Sequence, residues 1–297
     1  SLPKENLKSD MHRGFDASIM WTDQINDFNY SVGGNITYSR FWDWEQYKPR
    51  FSNSWDEYRN SIWHRVGYVN WGYEAIGRFD SWEQIANYPV DNDRKGNRTV
   101  VPGDIMYKDQ NNDGVINYLD ERPIGYRVDS TPTLNFGINL SASWKGFDLA
   151  MDWTGSRMTS WNQCYETARP FQNDGNSPDE VLKDAWHLSD IWDANSPLIP
   201  GKYPMVRLNT DETSAYDKSS YWLHNVTYLK LRNLEVGYTF PKTWLNRTGI
   251  SNLRLFVSGT NLLTLSNLSV MDPECASDNG LDYPPMRVIN IGVNLKF

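Results

Sequence analysis

The sequence contains no run of about 18 apolar residues, the length a transmembrane helix needs, so no such helix is encoded. It has no basic excess either. Against 29 Lys and Arg stand 37 Asp and Glu, giving a formal charge of -8 and a pI near 5.1, a balance that argues against a nucleic-acid surface. Histidine is scarce, and His12, His64, His187 and His224 are scattered. With no HExxH, no nucleophile elbow and no phosphate-binding glycine loop, no catalytic constellation stands out. The paired acids Asp179 and Glu180, and Asp211 and Glu212, read as solvated loop charges. Only two cysteines occur, Cys164 and Cys275. An oxidising compartment would permit a bridge between them, and two free thiols fit the sequence equally. Low-complexity tracts and solenoid-length repeats are absent. Ser1 to Asp10 lacks the apolar core of a signal peptide, which leaves a cytosolic chain, a processed one or a fragment of something longer. Of these a fragment of a longer protein is expected.

What the chain has is aromatic residues, 14 Trp, 17 Tyr and 11 Phe, and segments that alternate with period two. In Thr133 to Trp144 one face reads Leu134, Phe136, Ile138, Leu140, Ala142 and Trp144, and the other Asn135, Gly137, Asn139, Ser141 and Ser143. Such a strand has a different solvent on each side. After Lys145-Gly146 a second strand resumes with Phe147, Leu149, Met151 and Trp153, so the pair reads as a tight hairpin. An earlier hairpin joins Phe15, Ala17, Ile19 and Trp21, through a turn between Asp23 and Asp27, to Phe28, Tyr30, Val32, Ile36 and Tyr38. Three more strands follow, Tyr221 to Phe240, Leu253 to Leu265 and Arg287 to Phe297. In the last, Ile289, Ile291, Val293, Leu295 and Phe297 share one face. A terminal amphipathic strand ending on an aromatic suits an outer-membrane barrel, with Trp21, Trp144, Trp153, Tyr238 and Phe240 placed for aromatic girdles.

Connection lengths favour the barrel over a sandwich. Asp23 to Asp27 and Lys145-Gly146 are short, Phe41 to Ser130 and Ser156 to Ser220 very long, and Pro241 to Asn252 and Ser266 to Met286 intermediate. Compact domains rarely carry two structureless connections of that size, whereas barrels pair short periplasmic turns with long extracellular loops. Seven strands leave two open edges in hydrocarbon, so the expected fold is all-β: about seven strands of a larger antiparallel transmembrane barrel, spanning residues 1–297.

The first long connection carries the strongest chemical signal. From Gly103 to Gly125, residues 103–125, it reads GDIMYKDQNNDGVINYLDERPIG. Asp109, Asn111 and Asp113 would supply side-chain oxygens to a calcium ion and Gly114 the sharp turn. Val115 would add a carbonyl, Asn117 a direct or water-mediated contact, and Asp120 the closing carboxylate. Asp120 stands where the pattern prefers a bidentate Glu, with Glu121 beside it. Bound Ca2+ would be structural, neutralising clustered carboxylates and folding the loop into a platform. Most Trp residues fall in the long connections. Among them Trp42, Trp44, Trp71, Trp161, Trp186 and Trp192 are candidates to stack on sugar rings, unless they build loop cores or pack against a protein partner.

An ordered series of motifs narrows the class. Gly72-Tyr73-Glu74, Gly77-Arg78-Phe79-Asp80-Ser81, Glu83-Gln84-Ile85-Ala86-Asn87, Pro102-Gly103-Asp104-Ile105, the DxNxDGxIN loop and Pro123-Ile124-Gly125 come first. Tyr221-Trp222-Leu223, Tyr228-Leu229-Lys230-Leu231-Arg232-Asn233-Leu234, Gly237-Tyr238-Thr239-Phe240-Pro241 and Val257-Ser258-Gly259-Thr260-Asn261-Leu262 follow in order. From about Gly14 to Phe297 the chain resembles the C-terminal region of the SusC-like TonB-dependent transporters of the Bacteroidota outer membrane. Asn112 departs from the family's usual Gly.

The resemblance implies an importer in the cell outer membrane, with an N-terminal plug inside a barrel of about 22 strands; the plug and the TonB-contacting segment are absent from this chain. It implies uptake of oligosaccharides or peptides with a SusD-like surface lipoprotein, driven through TonB, and no enzymatic activity. A secreted calcium-dependent carbohydrate-binding β-sandwich is the alternative, and it would close its own sheets.

Overall fold

The computed structural model describes residues 6–47, 49–127, 132–208, 212–246, 249–275 and 279–297. Ser130 and Asp211 lie outside the described residues. The period-two segments form one antiparallel sheet of long strands in chain order: β1 (Lys8–Ile25), β2 (Phe28–Gln46), β3 (Leu134–Trp144), β4 (Phe147–Asn162), β5 (Leu223–Thr239), β6 (Asn252–Ser266) and β7 (Val288–Lys296). Each pairs with its chain neighbours, as in an up-and-down barrel, and the short strand Arg65–Val66 adds to the far end of β2. Among the described residues β1 and β7 each keep one unpaired edge, so the sheet is a stretch of transmembrane barrel wall. No helix of the described residues is long and apolar enough to cross a membrane.

Two turns set the register. Lys145 and Gly146 both take positive φ, 47° and 90°, the conformation that lets a two-residue hairpin follow the strand twist. A Cβ on Gly146 would also lie 2.7 Å from the Thr239 carbonyl oxygen. The β1–β2 turn is tighter than expected. Pairing runs on to Ile25 and Phe28, leaving Asn26 and Asp27, with Asn26 at φ 52°.

One rung shows how register sorts the faces. Trp21, Val32, Leu140, Met151, Leu234, Gly259 and Ile289 lie side by side across all seven strands. Next to the short turns, Gln24, Asn29, Ser143, Asp148, Gly237, Phe256 and Gly292 form a rung of the opposite face. There Arg254 lies over Gly237 and pairs with Asp148 and with Glu235, while Phe256 lies over Gly292. The apolar face is bare: Ile19 is 76% exposed, Trp21 63% and Ile291 83%. No second sheet of the described residues covers it, which removes the sandwich alternative. Aromatics gather at the short-turn end, where ring centroids of Phe147 and Tyr238 lie 4.6 Å apart and those of Tyr238 and Phe240 5.1 Å.

Three strands outrun the sequence pattern. β1 begins at Lys8, β2 runs to Gln46 and β4 to Asn162. Crossing hydrocarbon takes about 9–11 residues, and beyond it no face need be apolar, so alternation stops while the hydrogen-bond ladder continues. Trp153, expected at a strand end, is therefore mid-strand, between Ile138 and Leu231. All three long connections, 47–133, 163–222 and 267–287, leave from the same end of the sheet.

Candidate functional site

At the long-loop end the first two connections fold together. Tyr73, Ile105, Tyr107 and Ile116 from the first share one buried core with Ala168, Val181, Ala185, Tyr203, Ala215, Tyr216 and Trp222 from the second. Polar bonds sew the same seam. Buried Asn92 donates to the Ile105 carbonyl at 3.0 Å and to Ser214 Oγ at 3.2 Å, and Tyr107 Oη donates to the Ser214 carbonyl at 2.7 Å. Arg78 donates to the carbonyls of Gly103 at 2.6 Å and Gly201 at 2.7 Å, clipping one loop to the other. Burial raises the Asp104 carboxyl to about 6, although Arg207 and the Val101 amide pull the other way. Asp93 behaves oppositely: burial disfavours its charge, yet bonds from Thr99, Lys95 and Asn97 hold it at about 2.

The acidic loop sits on the rim of this platform. Asp109 accepts from the amides of Asn112 at 2.6 Å and Gly114 at 2.8 Å, and Asn112 and Gly114 supply the two positive φ values, 60° and 83°. Asp113 accepts from Asn111 Nδ2 at 2.8 Å and Asn117 Nδ2 at 3.4 Å, and the Val115 carbonyl accepts from Asn117 Nδ2 at 3.2 Å. Asn111 and Asn117 thus turn their amide nitrogens toward Asp113, while their side-chain oxygens accept from the Asp113 and Leu119 backbone amides at 3.1 and 2.9 Å. Hydrogen bonds from Asn111 and the Val115 amide lower the Asp113 pKa. Asp120 is fully buried, accepting from the Gln110 and Asn117 amides at 2.8 and 2.9 Å and capping the turn Tyr118–Asp120. Ile116 anchors the loop in the shared core and donates its amide to the Asp91 carbonyl at 3.0 Å, while the Asp91 amide donates to the Gly114 carbonyl at 2.8 Å. The donor chemistry fits a hard cation, all oxygen and half of it carboxylate. Among the described residues, however, no three His, Cys, Asp or Glu side chains gather as one metal cluster.

The tryptophans separate into three settings. Trp71, Trp161 and Trp186 are buried: Trp71 packs edge-on to Tyr58 at 5.1 Å under Arg59 at 4.6 Å, Trp161 stacks on His224 at 5.7 Å, and Trp186 covers Gly103. Trp42 and Trp44 lie on the extension of β2 rather than in a loop. Trp192 is 89% exposed. Cys164 and Cys275 are both half-buried, and no disulfide joins them.

The sequence reading missed a polar cluster on the inner wall. Lys230, fully buried, bonds Asp272 at 2.7 Å and Glu274 at 2.9 Å, so the third connection folds back against β5. A bulge at Arg232 turns that residue to Glu274 at 3.1 Å and Asn261 at 3.0 Å. Two cations one residue apart in a strand, with an Asp-x-Glu pair ahead, were the available signal.

No protein-family model matches the chain. TonB-dependent receptor P3 of Formosa agariphila is 30% identical over 241 residues, 75% of this chain. The chain belongs to the SusC-like TonB-dependent receptors. A second such receptor, P26 of the same organism, is 27% identical, and TonB-dependent receptor SusC of Bacteroides thetaiotaomicron is 24% identical over 79% of this chain. The chain spans about a fifth of the length of these curated receptors, 22%, 22% and 20%. Among solved structures, the RagAB peptide transporter matches 98% of the chain with a TM-score of 0.64 at 21% identity. The RagAB peptide importer in the closed-closed state matches 99% with a TM-score of 0.65 at 22% identity. At those identities the structures speak for the fold, and the chain covers 29% and 30% of them.

Proposed function

We propose that this chain provides consecutive C-terminal wall strands and outer loops of a plugged, TonB-driven importer in the outer membrane. One observation carries the reading: a sheet whose apolar side is bare, whose other side is lined with ion pairs, and whose large connections all leave from one end. Further strands of the same receptor complete the two open edges. The long loops face outward and meet a SusD-like lipoprotein, and the cargo is an oligosaccharide or a peptide, the latter named for the RagAB relatives. In cells carrying the full-length receptor, it should fractionate with the outer membrane and require detergent for extraction, and cargo uptake should stop without TonB. A receptor recovered in the aqueous fraction ends this reading.

Asp109, Asn111, Asp113, the Val115 carbonyl, Asn117 and Asp120 would hold Ca2+, which supplies only charge neutralisation and cross-linking of the loop. With Asp at the closing position the site belongs at the weak end, near the 10⁻⁴–10⁻³ M of extracellular modules. Saturating calcium should then stabilise the loop by about 1–3 kcal/mol, read as slower proteolysis between 103 and 125. Asp109→Ala with Asp113→Ala should abolish the calcium dependence. Identical cleavage of the unmodified receptor with calcium and with chelator would remove the metal from the site.

A further inference from the structure

We propose that the outward face of β1 and β2, just beyond the apolar belt, binds the phosphate of an outer-leaflet lipid headgroup through Arg13 and Arg40. This rests on the reading that the sheet spans the outer membrane. Arg13 and Arg40 are directly opposite one another in the ladder, and their rung faces the same way as Phe15–Tyr38, the stacked aromatic pair next toward the membrane, 5.8 Å between centroids. Like charges placed opposite destabilise a strand pair unless an anion bridges them. Among the described residues neither guanidinium has a carboxylate at ion-pair distance. The nearby acids, Asp10 and Asp43, face the other side and pair with Lys8 at 3.3 and 3.1 Å.

The surroundings hold the two arginines in place. Arg13 lies over the Trp44 ring at 4.9 Å and near Trp42 at 5.9 Å, and Arg40 lies over Trp42 at 5.8 Å. Arg13 Nε donates to Met11 Sδ at 3.2 Å, which leaves its terminal nitrogens for a phosphate, and a guanidinium held over an indole can still offer such N–H groups to a phosphate's oxygens. Beyond them His64 sits between Trp44 and Trp63, each at 4.3 Å, completing an aromatic shelf.

Height selects the occupant. From Phe28 beside the short turn to Tyr38 the strand advances by about 33 Å, which at a tilt of about 40° is about 25 Å of height, the thickness of a barrel's apolar band. Two residues further, Arg13 and Arg40 stand about 5 Å above that band, where lipid phosphates lie. Cargo passes on the opposite face of the sheet, so the lipid is the anion within reach.

The test uses the full-length receptor in nanodiscs containing phosphorylated lipid A, or the same lipid A stripped of phosphate, with inorganic phosphate as a third arm. Native mass spectrometry of the released receptor counts retained lipid. Phosphorylated lipid A should be retained and the stripped form lost. Arg13→Gln with Arg40→Gln should lower retention about thirtyfold, the factor for two cations at an anionic surface, with unchanged heat-modifiable mobility as the check on folding. Equal retention of both lipids, unchanged retention by the double variant, or displacement by equimolar inorganic phosphate would each overturn the proposal. Failure of the unmodified receptor to enter nanodiscs would overturn the membrane-spanning reading with it.

Discussion

Trp222→Ala should loosen the outer platform by about 3–5 kcal/mol, the range for truncating a large buried aromatic. Trp222 is 1% exposed and stacks on Tyr216 at 5.6 Å and Tyr203 at 6.2 Å, with Tyr221 edge-on at 4.8 Å. Its indole N–H donates to the Ala215 carbonyl at 2.8 Å, a group that would be left buried without a partner. The residue stands one step before β5, so its loss frees the second long loop from the point where the wall holds it. The first loop follows, because Tyr73, Ile105, Tyr107 and Ile116 are buried against that same cluster. Hydrogen exchange of the full-length receptor should therefore accelerate in both loops together, and leave β6 and β7 protected. Trp222→Phe keeps most of the stack and gives up the hydrogen bond, so about 1–2 kcal/mol is expected. Acceleration confined to the second loop would mean the two connections fold separately.

The wall was legible in the sequence because hydrocarbon imposes period two, and one rung of seven residues tests that pattern in every strand. The turn at Lys145-Gly146 was legible for a related reason, since two successive positive φ angles call for a glycine. What the pattern could not supply was everything beyond the membrane. There Trp42, Trp44 and Trp161 belong to strands whose faces are both polar or packed, so alternation carried no information while hydrogen bonding persisted. The two long loops were read as separate connections, because nothing local in Ile116 or Trp222 announces that they share a core. The sharp turn at Gly114 was legible in the acidic loop, and the loop's dependence on Asp91 and Glu74 was not, since those contacts join distant stretches of chain.

Lys230→Met should release the third connection from the inner wall. The ammonium is 1% exposed and contacts three carboxylate oxygens, two of Asp272 at 2.7 and 2.8 Å and one of Glu274 at 2.9 Å. Glu274 keeps Arg232 as a second partner, so Asp272 is the group left uncompensated. Breaking such a buried pair from one side costs about 3–5 kcal/mol, whereas removing both charges is often nearly neutral. Lys230→Met with Asp272→Asn should thus recover much of the loss. Cys275 reports the opening, because its amide bonds the Asp272 carbonyl at 3.0 Å and its thiol is half-buried, with a pKa raised by burial and then by Asp272. In a receptor with Cys164→Ser, maleimide labelling of Cys275 should quicken by about a hundredfold in Lys230→Met. Loss of the lysine's charge raises the thiol pKa further and slows thiolate attack, so faster labelling can come only from exposure. Unchanged labelling would show that Leu268, buried against Trp161, Val226 and Tyr228, holds the loop to the wall without the ion pairs.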